Sequence, residues 1–272
     1  MIKFNFKNRN RIKYPFLTDK RQRFAVQTLI LTFGLLVTQL IWEDIRFYMV
    51  GVLAILTYIL TVWSLYEDIK GTEWLLLFIL PVFFTISFSL FYFLLPERWI
   101  SRLIVTVIFA IGMYATLLIE NIYNVAAIRS IQLLRAAQSV GMLTTLAVIF
   151  LATSIIFSLR LPYFLNAILM FPIILLSSLQ SLWSVKLESY ISYEVWLYSL
   201  VTALGIGEIA WCLSFWPVQI ATVSLSLTAF YYAIVGISQL HFSGKLFINT
   251  VREYFLVLIF VIFITIIGSH WG

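Results

Sequence analysis

The chain has 272 residues, of which 62% are hydrophobic and only 11% charged, and its mean hydropathy is +1.01. A soluble domain of this size carries about 25% charged residues to cover its surface, so a water-soluble fold is excluded and the solvent is a bilayer. The net charge of +6 is uneven: eight of the eighteen Lys and Arg lie before residue 24, against one acid, Asp19.

That basic arm, residues 1–23, abuts the first apolar run, which makes it a topology signal and a contact for anionic lipid headgroups. A nucleic-acid partner is not expected, because the arm has no fold of its own to present it. No small-residue cleavage pattern follows the first run, so the lead reads as a retained signal anchor. The rest, residues 24–272, divides into apolar pieces of about 20 residues, the length that crosses a bilayer. This predicts an all-α, polytopic transmembrane bundle with nine spans: 24–42, 47–66, 74–95, 103–119, 142–159, 164–183, 195–215, 218–241 and 254–270.

Cytoplasmic connectors are richer in Lys and Arg than external ones. With the N-terminus inside, alternation places fourteen of the eighteen basic residues on the inner side and four, Arg46, Arg98, Arg102 and Arg160, on the outer side. The prediction is therefore N-terminus in and C-terminus out. Two connectors share a pattern, WEDIR at 42–46 and YEDIK at 66–70; acids just before a helix cap its free N–H groups and suit its dipole.

The longest connector, 120–141, gathers Glu120, Asn121, Asn124, Gln132, Arg135 and Gln138 within about a third of a helical wheel. It reads as an amphipathic helix on the inner surface. Two alternatives stay open: a solvated extension of the fourth span, or a polar stripe turned into the bundle, which would bury Arg129 or Arg135. The stretch ENIYNVAAIRSIQLLRAA within it resembles a segment of multi-span proteins from candidate-phylum bacteria, over about the middle third of the chain. The resemblance implies a bacterial inner membrane and no activity.

Catalytic chemistry is sparse. All three aspartates, Asp19, Asp44 and Asp68, fall outside the spans, no His-Glu-x-x-His is present, and the two histidines, His241 and His270, end spans on opposite sides. A serine nucleophile needs a base within reach, and no span carries His or Lys at depth. The single cysteine, Cys212, excludes an intramolecular disulfide and any multi-cysteine metal site. No enzymatic activity, cofactor or metal ion is expected.

One carboxylate does stand inside a predicted span, Glu208 in LGIGEIAWC. Counted from Val195 it lies about 20 Å along its helix, in the outer third of the core. A lone charge there costs several kcal/mol, so it calls for a proton, a partner or water. Gly205 and Gly207 beside it loosen the helix, and depth matching brings Asn166, Ser154, Ser224 and Ser226 to its level, with Arg160 above. The expectation is a small or lipid-like solute bound or transported at an outward-facing polar pocket. Two readings remain beside it: Glu208 sits at the headgroups within the aromatic belt, or the protein is a structural or assembly subunit of a membrane complex, with a membrane-protein partner.

Overall fold

In a computed structural model the chain is described over residues 19–40, 43–65, 73–95, 99–127, 132–188 and 190–269. Among these residues there are nine α-helices: α1 (Lys20–Leu40), α2 (Glu43–Leu65), α3 (Glu73–Tyr92), α4 (Trp99–Ala126), α5 (Leu134–Ser158), α6 (Tyr163–Lys186), α7 (Tyr193–Leu213), α8 (Ile220–Phe242) and α9 (Ile248–Ile267). Eight of them, α2 to α9, are long and apolar enough to cross a membrane. The protein is an all-α, multi-pass membrane bundle. Most of the basic arm, the side chains of Glu43, Asp44 and Arg46, the YEDIK connector, Arg129 and His270 lie outside the described residues.

Two apolar cores hold the helices together. The first is aromatic, built by Phe24 of α1, Phe78, Phe84 and Phe88 of α3 and Phe109 of α4. Phe84 and Phe109 stack with centroids 5.7 Å apart. The second runs through α5 to α8, around Ile149, Met170, Ile174, Trp183, Ile206 and Tyr231. Outward faces are equally apolar, with Phe33, Ile55, Ile111 and Phe260 all exposed. Lipid tails are as apolar as these side chains, so sequestering oil from water does not drive the helices together; close packing and polar contacts between them do.

Helix α9 is peripheral: it lies against α8 and buries only Val261 and Thr265. By contrast α6 and α7 form the most extensive pair. Small residues line the inward face of α7 at Ser199, Ala203 and Gly207, four apart, which lets backbones approach.

The connector at 120–141 is corrected by the fold. Helix α4 runs on to Ala126, carrying Glu120, Tyr123 and Asn124 into the interior, and α5 begins at Leu134. What remains between the helices is 127–133. A separate surface helix was expected from the gathering of polar residues on one side of the wheel, beside the open alternatives of an extended fourth span and an inward-turned stripe. The stripe's counterpart is on α6, where Gln180 meets Glu120, so the part of the stripe on α4 turns inward, while Gln132 is exposed. Arg135 stays exposed as well.

Candidate functional site

The fold scatters the predicted outer pocket. Helix α7 is unbroken through Gly205 and Gly207, so the expected helix break is absent. Its inward face is Ile206, Gly207 and Ala210, which leaves Glu208 exposed on the opposite face. Asn166 donates instead to Ser214 Oγ at 3.1 Å. Ser226 and Thr265 share a hydrogen bond of 2.6 Å between α8 and α9. Arg160 is exposed in the turn after α5, with φ of 50°. Only Ser154 and Ser224 come together, at 2.9 Å, as a link between α5 and α8. The physical reason is rotational: residues matched in depth on different helices meet only if each also faces the same interior.

A polar site does exist, at the other end of the bundle. It is assembled where the last turns of α4, α6 and α8 meet the first turns of α5. Glu120 is fully buried, 0% exposed, and Asn124, one turn further along α4, is 1% exposed. Gln180 Nε2 donates to Glu120 Oε1. Tyr123 OH donates to the carbonyl of Ala137 at 3.1 Å, bracing the start of α5.

Two further glutamines brace α6. Gln138 Nε2 donates to the Ser184 carbonyl at 2.9 Å, and Gln239 Nε2 to the Ser181 carbonyl at 2.9 Å. Ser184 O is among the last four carbonyls of α6, which have no partner within the helix. Deeper in, Ser181 Oγ and Tyr231 OH lie 3.1 Å apart. All three glutamines thus spend an amide donor on the protein itself, and the site is left rich in acceptor oxygens.

Between these helices is a narrow cleft lined by Leu80, Tyr123, Gln138, Gly141, Met142, Thr145, Gln180, Ser181, Ser184 and Gln239. Its volume is about 10 Å³, room for about one water or ion. Gly141 keeps the cleft open: a Cβ there would collide with Tyr123 OH. Gln180 is the hinge of the arrangement, since it both lines the cleft and holds Glu120. Several buried atoms are left over, namely Glu120 Oε2, Asn121 Oδ1 and both amide atoms of Asn124, none with a hydrogen-bond partner. Buried polar atoms are nearly always paired; these four lie on α4 behind Gln180, and none of the three residues lines the cleft itself.

Among the described residues no group of three or more His, Cys, Asp or Glu is placed to hold a metal ion. The acceptors here are one carboxyl, amides and hydroxyls, a set suited to a proton, a water or a weakly bound monovalent cation.

The chain belongs to the DUF5656 family. The family model, described as a protein of unknown function, matches residues 26–268, so DUF5656 membership covers both the cleft and the Glu208 face. No curated protein and no solved structure matches the chain.

Sequence reasoning had Glu120 in the polar stripe of the connector, read first as an inner-surface helix, with a stripe turned into the bundle left open. The missed signal was its partner: Gln180 and the serines of SSLQSLWS interrupt an otherwise apolar span. A polar stripe ending one span and a polar run ending another, two helices later and at the same side of the membrane, were the two halves of one site.

Proposed function

We propose that this protein binds a small cation, either a proton or a monovalent metal ion, at Glu120 and the cleft that Gln180 shares with it, and uses that site to handle a small solute at the membrane. The observation that carries the reading is Glu120 itself, a wholly enclosed carboxyl with one oxygen bonded to Gln180 and the other unpartnered. An ionisable group inside a membrane bundle is costly, and its usual use is an ion path, a proton relay or a substrate contact. Gln180 relays the state of Glu120 to the cleft, so that filling the cleft and charging the carboxyl are coupled.

The excess of Lys and Arg on the arm's side supports placing the N-terminus in the cytoplasm, and with it the cleft, which lies at the end where α3 begins and α4 ends. On this reading the host membrane is a bacterial inner membrane and the site faces inward, opposite to the outer pocket expected at Glu208.

The test is a thermal unfolding series on the purified protein in sodium, potassium and choline chloride across pH, comparing wild type with Glu120→Gln. Glutamine keeps the size and an acceptor for Gln180 while removing the charge. The reading expects wild type to be stabilised by one alkali cation over choline, or by acid, and Glu120→Gln to be folded and insensitive to the same change. Identical responses of the two proteins would sink it. The subunit reading has its own observation, the exposed carboxyl group of Glu208 on the outer face of α7.

A further inference from the structure

Glu208 lies on α7 five residues before the helix ends at Leu213, which is about 7 Å along the axis. Beyond it, toward that end, Tyr163 packs against Trp211 and Phe215 with ring centroids 5.7 and 4.6 Å away. Such aromatic clusters sit at the level of the lipid headgroups, which places Glu208 on the hydrocarbon side of them. The residue is exposed, and it makes no hydrogen bond or ion pair among the described residues.

Its surroundings form a continuous outward stripe. Val201, Leu204, Gly205, Glu208, Trp211 and Cys212 recur at helical spacing. A Cβ built at Gly205 meets nothing within 4 Å, so a shallow notch lies directly beside the carboxyl group. A lone carboxylate facing lipid tails is the most expensive group this surface carries. Glutamate is also too short to reach water as freely as lysine or arginine do.

We propose that this face of α7 is a docking surface for a transmembrane helix of a separate protein, one that carries a single Arg or Lys at the level of Glu208. The notch at Gly205 admits the partner's backbone, and Leu204 and Trp211 flank the contact. Charge complementarity selects the occupant. A symmetric contact with a second copy through the same stripe would bring Glu208 against Glu208, like against like. The docking face is on the lipid side of α7 and is independent of the Glu120 cleft.

The test reconstitutes the full chain in phosphatidylcholine vesicles with a synthetic single-span Leu/Ala peptide. One peptide carries an Arg about two turns from one end, and its control has Leu there. Cys212, the only cysteine, is exposed one turn from Glu208, so a small fluorophore on it reports approach of a quencher on the peptide. Wild type is expected to associate with the Arg peptide roughly tenfold more strongly than with the Leu peptide, given interhelical polar contacts of about 1–2 kcal/mol. Glu208→Gln should lose most of that preference, and Glu208→Lys should transfer it to a peptide bearing Glu. Because the side chain is exposed, neither substitution should disturb folding, and unchanged thermal unfolding checks this. Equal binding of the Arg and Leu peptides overturns the proposal. So does self-association of the chain alone that Glu208→Gln abolishes, since the face would then belong to a second copy.

Discussion

Two buried polar clusters stand at different places in this bundle, and they are finished to different degrees. Between α1 and α2, Gln27 donates to Thr61 Oγ1 at 2.7 Å and accepts from Ser64 Oγ at 2.8 Å. Thr57 continues the chain by donating to Thr85 on α3 at 3.0 Å. Gln27 is wholly buried and none of its atoms is left over. Between α4 and α6, Glu120 bonds through one oxygen only, and Asn124 beside it bonds through none. A network with every atom paired ties helices together and asks for nothing more. One with a cleft beside it and atoms to spare has room for a ligand.

The largest effect that separates them is expected from Glu120→Leu. Leucine removes the acceptor of Gln180 Nε2, and a buried donor left unmade costs about 1–3 kcal/mol. It also abolishes any response to cation or pH. The measurement is thermal unfolding of the purified protein beside Glu120→Gln. If Glu120→Leu is as stable as wild type, Glu120 is not the enclosed, bonded group described above.

Next comes Gly141→Val. Its branched side chain enters the space held by Tyr123 OH, and overpacking of this kind costs about 1–3 kcal/mol. The displaced tyrosine releases the Ala137 carbonyl and the added methyls fill the cleft. Stability and cation response should fall together. A Gly141→Val protein that unfolds early but still responds to the cation would detach the cleft from ligand binding.

Gln27→Leu should be milder, about 1 kcal/mol, the scale measured for hydrogen bonds between membrane helices. Its partners keep acceptors of their own: Thr61 Oγ1 donates to the Thr57 carbonyl at 2.7 Å and Ser64 Oγ to the Thr61 carbonyl at 3.2 Å. The cation response should be untouched. A loss larger than that of Glu120→Leu would reverse the ranking of the two clusters.

How much of this was legible beforehand follows from what a sequence records. Helix number and helical class were legible because hydrophobicity over about 20 residues is a one-dimensional property, although α1, expected as the first of nine spans, is not among the eight helices apolar enough to cross. The predicted run 142–159 overruns α5 by one residue, and 164–183 falls inside α6. Boundaries drifted where polar residues continue a helix, as at 120–126, since a buried polar turn and a wet one look alike until the partner is known. The site was not legible for the same reason. Glu208 drew attention because it interrupts an apolar run, yet its rotation about the axis of α7 sends it outward, while Glu120, in a run of polar neighbours, is turned inward to Gln180. Depth could be counted along each helix. Facing could not, because a helix apolar on every side gives its rotation no sequence marker.

The smallest effect concerns a second glycine, and it tests whether Gly141 is special or glycines in this fold are interchangeable. Gly205 sits inside α7, where the sequence suggested a local break, but the helix continues through it and an added Cβ would enter open space. In a helix interior alanine is favoured over glycine by about 0.5–1 kcal/mol, because glycine gives up more backbone freedom on folding. Gly205→Ala should therefore leave thermal unfolding unchanged or raise it slightly, and leave the cation response as it is. It should weaken docking of the Arg-bearing peptide modestly, since the methyl fills the notch beside Glu208. Destabilisation of 1 kcal/mol or more, on the order of the helix preference itself, would mean that α7 needs a flexible point there after all. The working end of the molecule would then lie at Glu208 rather than at Glu120.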